Sequence, residues 1–417
     1  MSIDHRRLGR ELDLFDSDPM IGAGLPFWLP DGAAARHEVE SYLYELERRA
    51  GYRHVYSPAL GKRQMYELSG HWGNFADDMF PPMAMGDGEL VLRPSQCPHH
   101  ALIFKSRQRS YRDLPVRLAE LGPMFRAERS GVLGGLARVR AMQLNDAHIF
   151  CPPDQVGAEV AAVLRLMREA HVALGLRPSA VRLSLRGDCG KYGGDDAMWK
   201  RAEALLRGVL DAEGIPYSEG PGEAAFYGPK IDVQIADPAG RESTLATVQV
   251  DFHQPEQFDL WYAGPDGDRR RPVLVHRSLA GSMERLFGHL VEVHAGAFPA
   301  WYAPVQIAVL SVAAAQAAAA DAFARAAVEA GLRAQAHHDG LIGARIRAAA
   351  GRKVPYVAVI GAREEAGGLV ALRLRDGRQL AALPQGSALA LVNEVVAARS
   401  AELLPAGPPP APLLPAG

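Results

Sequence analysis

Cysteine is scarce: Cys97, Cys151 and Cys189 are the only three in 417 residues. An odd and widely spaced set excludes a disulfide framework and leaves at least one thiol for other chemistry. No apolar run reaches the roughly 20 residues that cross a bilayer. The opening MSIDHRRLGRELD also lacks the apolar centre of a secretory signal. The expectation is therefore a soluble, cytoplasmic chain without a membrane partner. Excess charge of one sign is missing too, since 46 Lys and Arg against 48 Asp and Glu leave a formal net charge of -2. Any contact with nucleic acid must then come from a local patch. No internal repeat is visible.

What is present is globular: 48% of residues are hydrophobic, and the length implies two or three domains. GAAARHEVESYLYELERRA carries apolar residues at helical spacing and ends at Gly51, before a short β-rich stretch halted by Pro58. Strand patterns follow in GELVLRP, LAELGPMFRAE, RVRAMQL, VRLSLRG, KIDVQIA and STLATVQVDF, with helices over 153–174 and 196–213. Clustered strands with few helices between them predict an antiparallel α+β sheet. The composition shifts at Ala303-Pro304. From there VQIAVLSV, an alanine-rich helix ended by Gly331, RAQAHH, a helix through IGARIRAAA and VPYVAVIG alternate as a separate α/β domain. The predicted division is 1–302, 303–400 and a Pro/Ala-rich disordered tail at 401–417.

Four stretches hold chemistry. RPSQCPHHALIFK contains Cys97, His99 and His100. MFRAERSG leads through a glycine-rich arm into ARVRAMQLNDAHIF, with Asp146 and His148; Arg126 and Glu128 alternate with Met124 and Phe125 as on a strand. AAFYGPKIDV bends at Gly228-Pro229 between Tyr227 and Lys230. In LVHRSLAGSMERLFGHLVEVHAG, Met283, Leu286, Phe287, Leu290 and Val291 form one face of a helix whose small N-terminal residues admit a substrate, and Arg285 could reach a phosphate. Cysteine with imidazole suits zinc, and a catalytic-type site uses three protein ligands. Cys97, His148 and His276 are so far apart that spacing carries no metal signal, and a buried thiol with hydrogen-bonded histidines explains them as well. Arg285 reads equally as a solvated helix charge, and Lys230, taken alone, reads as an exposed strand-end lysine.

In this order the stretches resemble those of the threonyl-tRNA synthetases, a family of class II aminoacyl-tRNA synthetases. The resemblance runs from DHRRLGRELDLF through MYELSGHWGNF, KSRQRSYRDLPVRLAELG, DDAMWKRAEALL and FPAWYAPVQIAVL to GARIRAAAGRKVPYVAVIG, nearly the whole chain except the tail. It implies a class II antiparallel catalytic domain, a homodimer interface on the first long helix and strand, and an α/β anticodon-binding domain. By the same resemblance Arg126 contacts the α-phosphate of ATP, Glu128 the adenine, Arg285 with Ser282 the ATP tail, and Arg140 a further phosphate. Cys97, His148 and His276 match ligands of one zinc ion per subunit that holds the amino and hydroxyl groups of threonine, with Asp146 accepting from that hydroxyl. Tyr227, Lys230 and Gln249 match other active-site positions, His71 one involved in transfer to tRNA, and Glu364 and Arg373 positions that read anticodon bases. The implied reaction takes threonine, ATP with Mg²⁺, and tRNA(Thr). Bacterial relatives carry an N-terminal editing domain and this chain begins at the catalytic one, so the expectation is a ligase without cis editing that forms some seryl-tRNA.

The match has departures. Cys-Pro-Gly-His of the family reads Cys97-Pro98-His99-His100 here, Arg-Asn-Glu-Pro reads Arg126-Ala127-Glu128-Arg129, and Thr-Gln-Asp-Asp reads Gln143-Leu144-Asn145-Asp146. Leu144 replaces a glutamine that points at the amino acid, and His99 is expected to crowd the pocket or add a ligand. Asp376 stands where relatives are often basic, which implies weaker anticodon affinity. Two other readings remain: a synthetase-like enzyme that loads a β-hydroxy amino acid onto a carrier protein or metabolite, and a non-catalytic tRNA-binding or regulatory protein. The survival of Arg126, Glu128 and Arg285 speaks against the last, because a structural role has little need for buried charge.

Overall fold

Period-two alternation sends Ile231, Val233, Val248 and Val250 to one side of their strands and Lys230, Asp232, Thr247 and Gln249 to the other. These strands lie within an eight-stranded sheet of the computed structural model, which describes residues 3–86, 88–188, 192–193, 195–237 and 240–405. Cys189 and the predicted tail beyond residue 405 lie outside the described residues. In chain order the strands are β1 (Arg53–His54), β2 (Val116–Phe125), β3 (Ala141–Cys151), β4 (Ala180–Leu185), β5 (Ser218–Pro221), β6 (Lys230–Ala236), β7 (Glu242–Asp251) and β8 (Val273–Ser278). Their spatial order is β5-β4-β6-β7-β8-β3-β2-β1. The central pairings are antiparallel, and the two edge pairings are parallel.

Most of the helices cover one face of this sheet, but the one that starts at Cys97 packs on the opposite face, its Ala101 and Phe104 against Leu118, Phe150 and Leu274. We label α1 (His5–Glu11), α2 (Pro30–Arg49), α3 (Cys97–Lys105), α4 (Val156–Leu174), α5 (Asp196–Ala212) and α6 (Met283–Val293). Ile149, Ile231, Val248, Val250 and Val275 of the sheet are fully buried in a core shared with Val160, Val163 and Met167 of α4 and Leu206 and Leu210 of α5. The opposite face is left open between β6 and β3, and there the polar set of the alternation gathers.

The second unit has the predicted β-α-β-α-β order. Strands β9 (Ile307–Ser311), β10 (Ala334–His337), β11 (Tyr356–Ile360), β12 (Leu369–Leu374) and β13 (Leu383–Pro384) lie in the order β10-β9-β11-β12-β13. The first three are parallel and the last two antiparallel, with α7 (Ala317–Glu329), α8 (Ile342–Gly351) and α9 (Gln385–Ala397) around them. The chain is thus an α+β antiparallel-sheet unit followed by a smaller α/β unit. Two expectations change: the strand holding Met124 ends at Phe125 instead of running on to Glu128, and the strand read in RVRAMQL begins at Ala141 instead of Arg138. Beyond Phe125 the backbone N–H of Ala127 leaves the ladder for the carbonyl of Asp78, 2.8 Å away.

Helix α2 joins the units. Asp31, Glu38 and Glu45 are spaced by seven residues, and at 3.6 residues per turn such a series drifts only about 20° per step, so the three acids form one stripe. Each meets an arginine of the second unit: Asp31 with Arg352, Glu38 with Arg333 at 2.7 Å, and Glu45 with Arg399 at 2.5 Å. On the far side of the same helix, Arg36 reaches Glu284 of α6 at 3.1 Å and Glu47 reaches Arg277 of β8 at 2.8 Å.

The outer pairs are partly solvated, and such a pair contributes about 0.2–1 kcal/mol. Glu45→Lys should therefore lower stability in chemical denaturation by about that amount in low salt. The loss should be recovered in the double variant Glu45→Lys/Arg399→Glu and should shrink in 1 M salt, where the screening length falls to about 3 Å.

Candidate active site

Register across the open face puts four predicted residues in one row. Lys230 of β6 pairs with Gln249 of β7, Gln249 with His276 of β8, and His276 with His148 of β3. Directly opposed residues of an antiparallel sheet carry their side chains on the same face, about 5 Å apart. The two imidazoles accordingly meet with ring centroids 4.7 Å apart. Two residues along the strands, Asp232 pairs with Thr247 and Thr247 with Ser278, while Asp146 shares the face of His148 on β3.

Cys97 approaches from above, at the start of α3, where Pro98 in the first turn favours helix initiation. Ligand atoms of Cys97, His148 and His276 lie within 4.8 Å of one another, and all three residues are buried. His276 Nε2 is 2.8 Å from Asp251 Oδ2, and Asp251 Oδ1 accepts from the backbone N–H groups of His253 and Gln254. A carboxylate behind an imidazole fixes its tautomer, as behind many metal-binding histidines, and it leaves His276 Nδ1 free of a proton. Burial pushes the Cys97 thiol up, so it stays protonated unless a cation replaces the proton. One thiolate and two imidazoles with an open fourth direction is a donor set that fits zinc.

His99 does not join this cluster. Cys97 and His100, three residues apart, share a helix face, whereas His99 is turned away. Its Nε2 lies 3.4 Å from the carbonyl oxygen of Leu60, so it neither crowds the cleft nor offers a ligand.

The cleft over this row has a volume of about 500 Å³. Met124, Met142, Leu144, Asp146, His148 and Cys97 are among the residues that line it. Burial pushes the Asp146 carboxyl up to about 6. Tyr227 stacks on His276 with centroids 4.8 Å apart and donates its hydroxyl to Gln249 Oε1 at 2.6 Å. Gly228 permits that placement, because a Cβ there would lie 1.8 Å from the carbonyl oxygen of Val250. Lys230 is paired with Asp232, which also accepts from Ser184 Oγ and Thr247 Oγ1, both at 2.9 Å.

Positive charge collects at the other end. Arg126 is exposed into the cleft just past the end of β2. Arg285 stands in the first turn of α6, capped by Ser282, whose Oγ accepts the Arg285 N–H at 3.2 Å. Gly281, at φ +66, makes the turn before that cap, and Arg285 Nε donates to the carbonyl of Ala137 at 3.2 Å. Burial, then the neighbouring guanidinium groups of Arg126 and Arg138, lowers the proton affinity of Arg285. A polyanion bound among these groups would relieve that repulsion. Glu128, also lining the cleft, is held by Arg138 at 2.8 Å.

Other predicted residues fall elsewhere. Arg140 is not among the residues that line the cleft. Its guanidinium donates to the carbonyls of Glu128 and Ala23 at 2.9 and 3.1 Å and to Ser130 Oγ at 3.2 Å, so it ties the arm down, and Arg138 is the arginine facing the cleft. His71 does line it, with Nδ1 2.8 Å from Ser69 Oγ and Nε2 3.5 Å from Cys97 Sγ, and burial brings its pKa down to about 3. Glu364 and Arg373 lie in the second unit, Glu364 accepting the Gly361 N–H at 2.9 Å and Arg373 on β12. Asp376 is paired with Arg378, 2.7 Å from its Nε. Reading the sequence missed Arg138, Asp232, Asp251, Glu47 and Glu120. Asp251 is the last residue of β7, but nothing local sets it behind His276.

Against known proteins, residues 84–294 match the family model of the tRNA synthetase class II core domain (G, H, P, S and T), and residues 306–394 match that of an anticodon binding domain. A threonine–tRNA ligase of Geobacillus sp. is 48% identical over 374 residues, 89% of this chain and 58% of that protein. One from Levilactobacillus brevis is 45% identical over 399 residues, 94% of this chain and 61% of its own length. The chain therefore spans somewhat over half the length of these curated relatives. The solved RNA binding domain of threonyl-tRNA synthetase from Cryptosporidium parvum superposes with a TM-score of 0.89 at 34% identity, covering 94% of this chain and 98% of that one. Prolyl-tRNA synthetase of Giardia lamblia, in complex with prolyl-adenylate, shares the fold at a TM-score of 0.72 and 18% identity.

Beneath the cleft, fully buried Arg277 donates to Glu47 at 2.8 Å. Removing one partner of a buried pair leaves an uncompensated charge and costs about 3–5 kcal/mol. Glu47→Ala should lower the unfolding free energy by about that much in a denaturant titration, far more than any change at the solvated acids of α2.

Proposed function

Given that the chain belongs to the threonyl-tRNA synthetase family of class II aminoacyl-tRNA synthetases, we propose that it activates threonine with ATP and transfers it to tRNA(Thr). The observation that carries this reading is the meeting of Cys97, His148, His276 and Asp146 with Arg126 and Arg285 in one cleft. No other reading has a specific observation in its favour.

Cys97, His148 and His276 would hold zinc, which supplies a Lewis-acidic template for an amino group and a neighbouring hydroxyl. Asp146 is placed to accept from the hydroxyl, and Tyr227 closes the wall beside the amino group. Activation joins two anions, so it depends on positioning and positive charge more than on a covalent nucleophile. Arg126 draws the threonine carboxylate to the α-phosphate of ATP and, with the Mg²⁺ of the nucleotide, neutralises the charge that grows there. A carboxylate oxygen bonds to the α-phosphorus, the bond to the bridging oxygen breaks, and diphosphate leaves toward Arg285 and Ser282. Glu128 faces the adenine; Lys230 and Gln249 border the reacting groups. In the second step a terminal ribose hydroxyl of the tRNA attacks the carbonyl carbon and AMP departs, with His71, neutral through burial, beside the reacting end.

The remaining features follow the family. Glu364 and Arg373 read anticodon bases, α2 and β1 form the homodimer interface, and the enzyme works in the cytoplasm; among the described residues no helix is long and apolar enough to cross a membrane. Leu144 gives the amino-acid side of the cleft an apolar wall beside Asp146. A site built to bond a hydroxyl rejects an isostere without it by roughly 10⁴–10⁵, whereas one methyl group is worth only about 1–3 kcal/mol.

Amino-acid-dependent ATP–diphosphate exchange with zinc-loaded protein tests the reading. Threonine should give the strongest exchange, serine about 10–200-fold less, and valine about 10⁴-fold less. Arg126→Ala should lower the threonine kcat by about 10²-fold or more. Exchange with a different β-hydroxy amino acid and none with threonine would replace threonine as the substrate and make Leu144 the mark of a diverted pocket.

A further inference from the structure

Behind the cleft a line of buried side chains runs from His148 across β2. His148 Nδ1 is 2.8 Å from His100 Nδ1, His100 Nε2 is 3.1 Å from Glu120 Oε2, and Glu120 Oε1 is 3.0 Å from Arg93 Nη2. His100 and Arg93 have no solvent exposure, and His148 and Glu120 have 1% and 3%. Protons in this line therefore have few arrangements. Glu120 also accepts from the backbone N–H of Ser57 at 3.2 Å and from Ser57 Oγ at 2.6 Å. Its carboxylate, paired with Arg93, acts as acceptor throughout, so His100 Nε2 must carry a proton.

One further proton lies between the two Nδ1 atoms. Were it on His100, that ring would be an imidazolium beside an ion pair that is already neutral, a buried charge with no carboxylate of its own, since Asp146 stands against the other ring, 3.9 Å from His148 Nε2. His148 would then carry its own proton on Nε2. With the proton on His148 Nδ1, every group in the line is satisfied and no extra charge is buried.

We infer that His100 and Glu120 are positioning residues that hold His148 as the Nδ1–H tautomer and turn its bare Nε2 toward Cys97 and His276, ready to bind a divalent metal. This rests on the zinc reading above. The two metal-facing histidines thus present opposite nitrogens, each set by a carboxylate: Asp251 acts on His276 directly, and Glu120 acts on His148 through the second imidazole. Of the two adjacent histidines in RPSQCPHHALIFK, His100 meets His148 and His99 does not.

The test uses the full chain stripped of metal and titrated with Zn²⁺ against a chromophoric chelator. The parent should bind one Zn²⁺ per chain. His100→Phe removes both hydrogen bonds and should weaken binding by about 10–100-fold, with a changed ligand-field spectrum when Co²⁺ is the probe. His100→Gln, which keeps an acceptor and a donor, should recover most of the affinity. Equal Zn²⁺ affinity in parent and His100→Phe would overturn the inference. Should His100→Phe not fold, long-range ¹H–¹⁵N spectra of the metal-free, ¹⁵N-histidine-labelled parent decide: a His148 proton on Nδ1 supports it and one on Nε2 refutes it. A parent that binds no Zn²⁺ would remove the zinc reading, and the tautomer measurement would still judge this one separately.

Discussion

Strand register is the constraint on which the cleft depends. Lys230, Gln249, His276 and His148 come from four strands, and they share a row only because β6, β7, β8 and β3 pair as they do. A slip of one residue between β8 and β3 would send His276 to the helix-covered face and bring Arg277 into the cleft. The register is held from behind by the apolar set of the same alternation, with Val248, Val275 and Ile149 fully buried. The side that does no chemistry therefore fixes the side that does.

That rear face is not wholly apolar. Arg277, Glu47 and Asn145 are buried there as a hydrogen-bonded group, with Asn145 Nδ2 2.8 Å from Glu47 Oε1 and the Arg277 guanidinium 4.2 Å from the centre of the Tyr52 ring. Such a group adds little net stability over apolar packing. It does require α2 to sit at one height on the sheet, because a displaced Glu47 would strand a charge. Through Arg36 the same helix holds Glu284, whose other oxygen accepts the backbone N–H of Gln143 at 3.0 Å, beside Leu144. The first long helix thus positions the strand that carries Leu144 and Asp146 and the helix that carries Arg285, while its outer acids meet the second unit.

The two ends of the cleft use opposite electrostatic strategies. At the metal-capable end, burial keeps the groups neutral: the Cys97 thiol is pushed up and the imidazoles of His71 and His148 are pushed down. At the other end like charges are crowded together and wait for an anion. Fixed dipoles and charges arranged before the substrate arrives need no reorganisation when charge develops in the reaction.

Sequence by itself determined the elements: the period-two runs became strands, the apolar stripe of α6 became a buried helix, and the change at Ala303-Pro304 preceded a second sheet. It also held the residue types of the site, and the family resemblance named Cys97, His148, His276, Arg126 and Arg285 before any geometry. Three things it could not hold. The strand through Arg126 ended early because Ala127 found the carbonyl of Asp78, a partner 49 positions away. Arg138 faces the cleft and Arg140 does not, because the Arg140 guanidinium is taken by the loop at Ala23. His100 stands behind His148, and His99 does not, because one helix face meets β3. Local pattern records which way a side chain points relative to its own strand or helix. Which partner it meets depends on register and packing between segments far apart in the chain, and only the tertiary structure decides those.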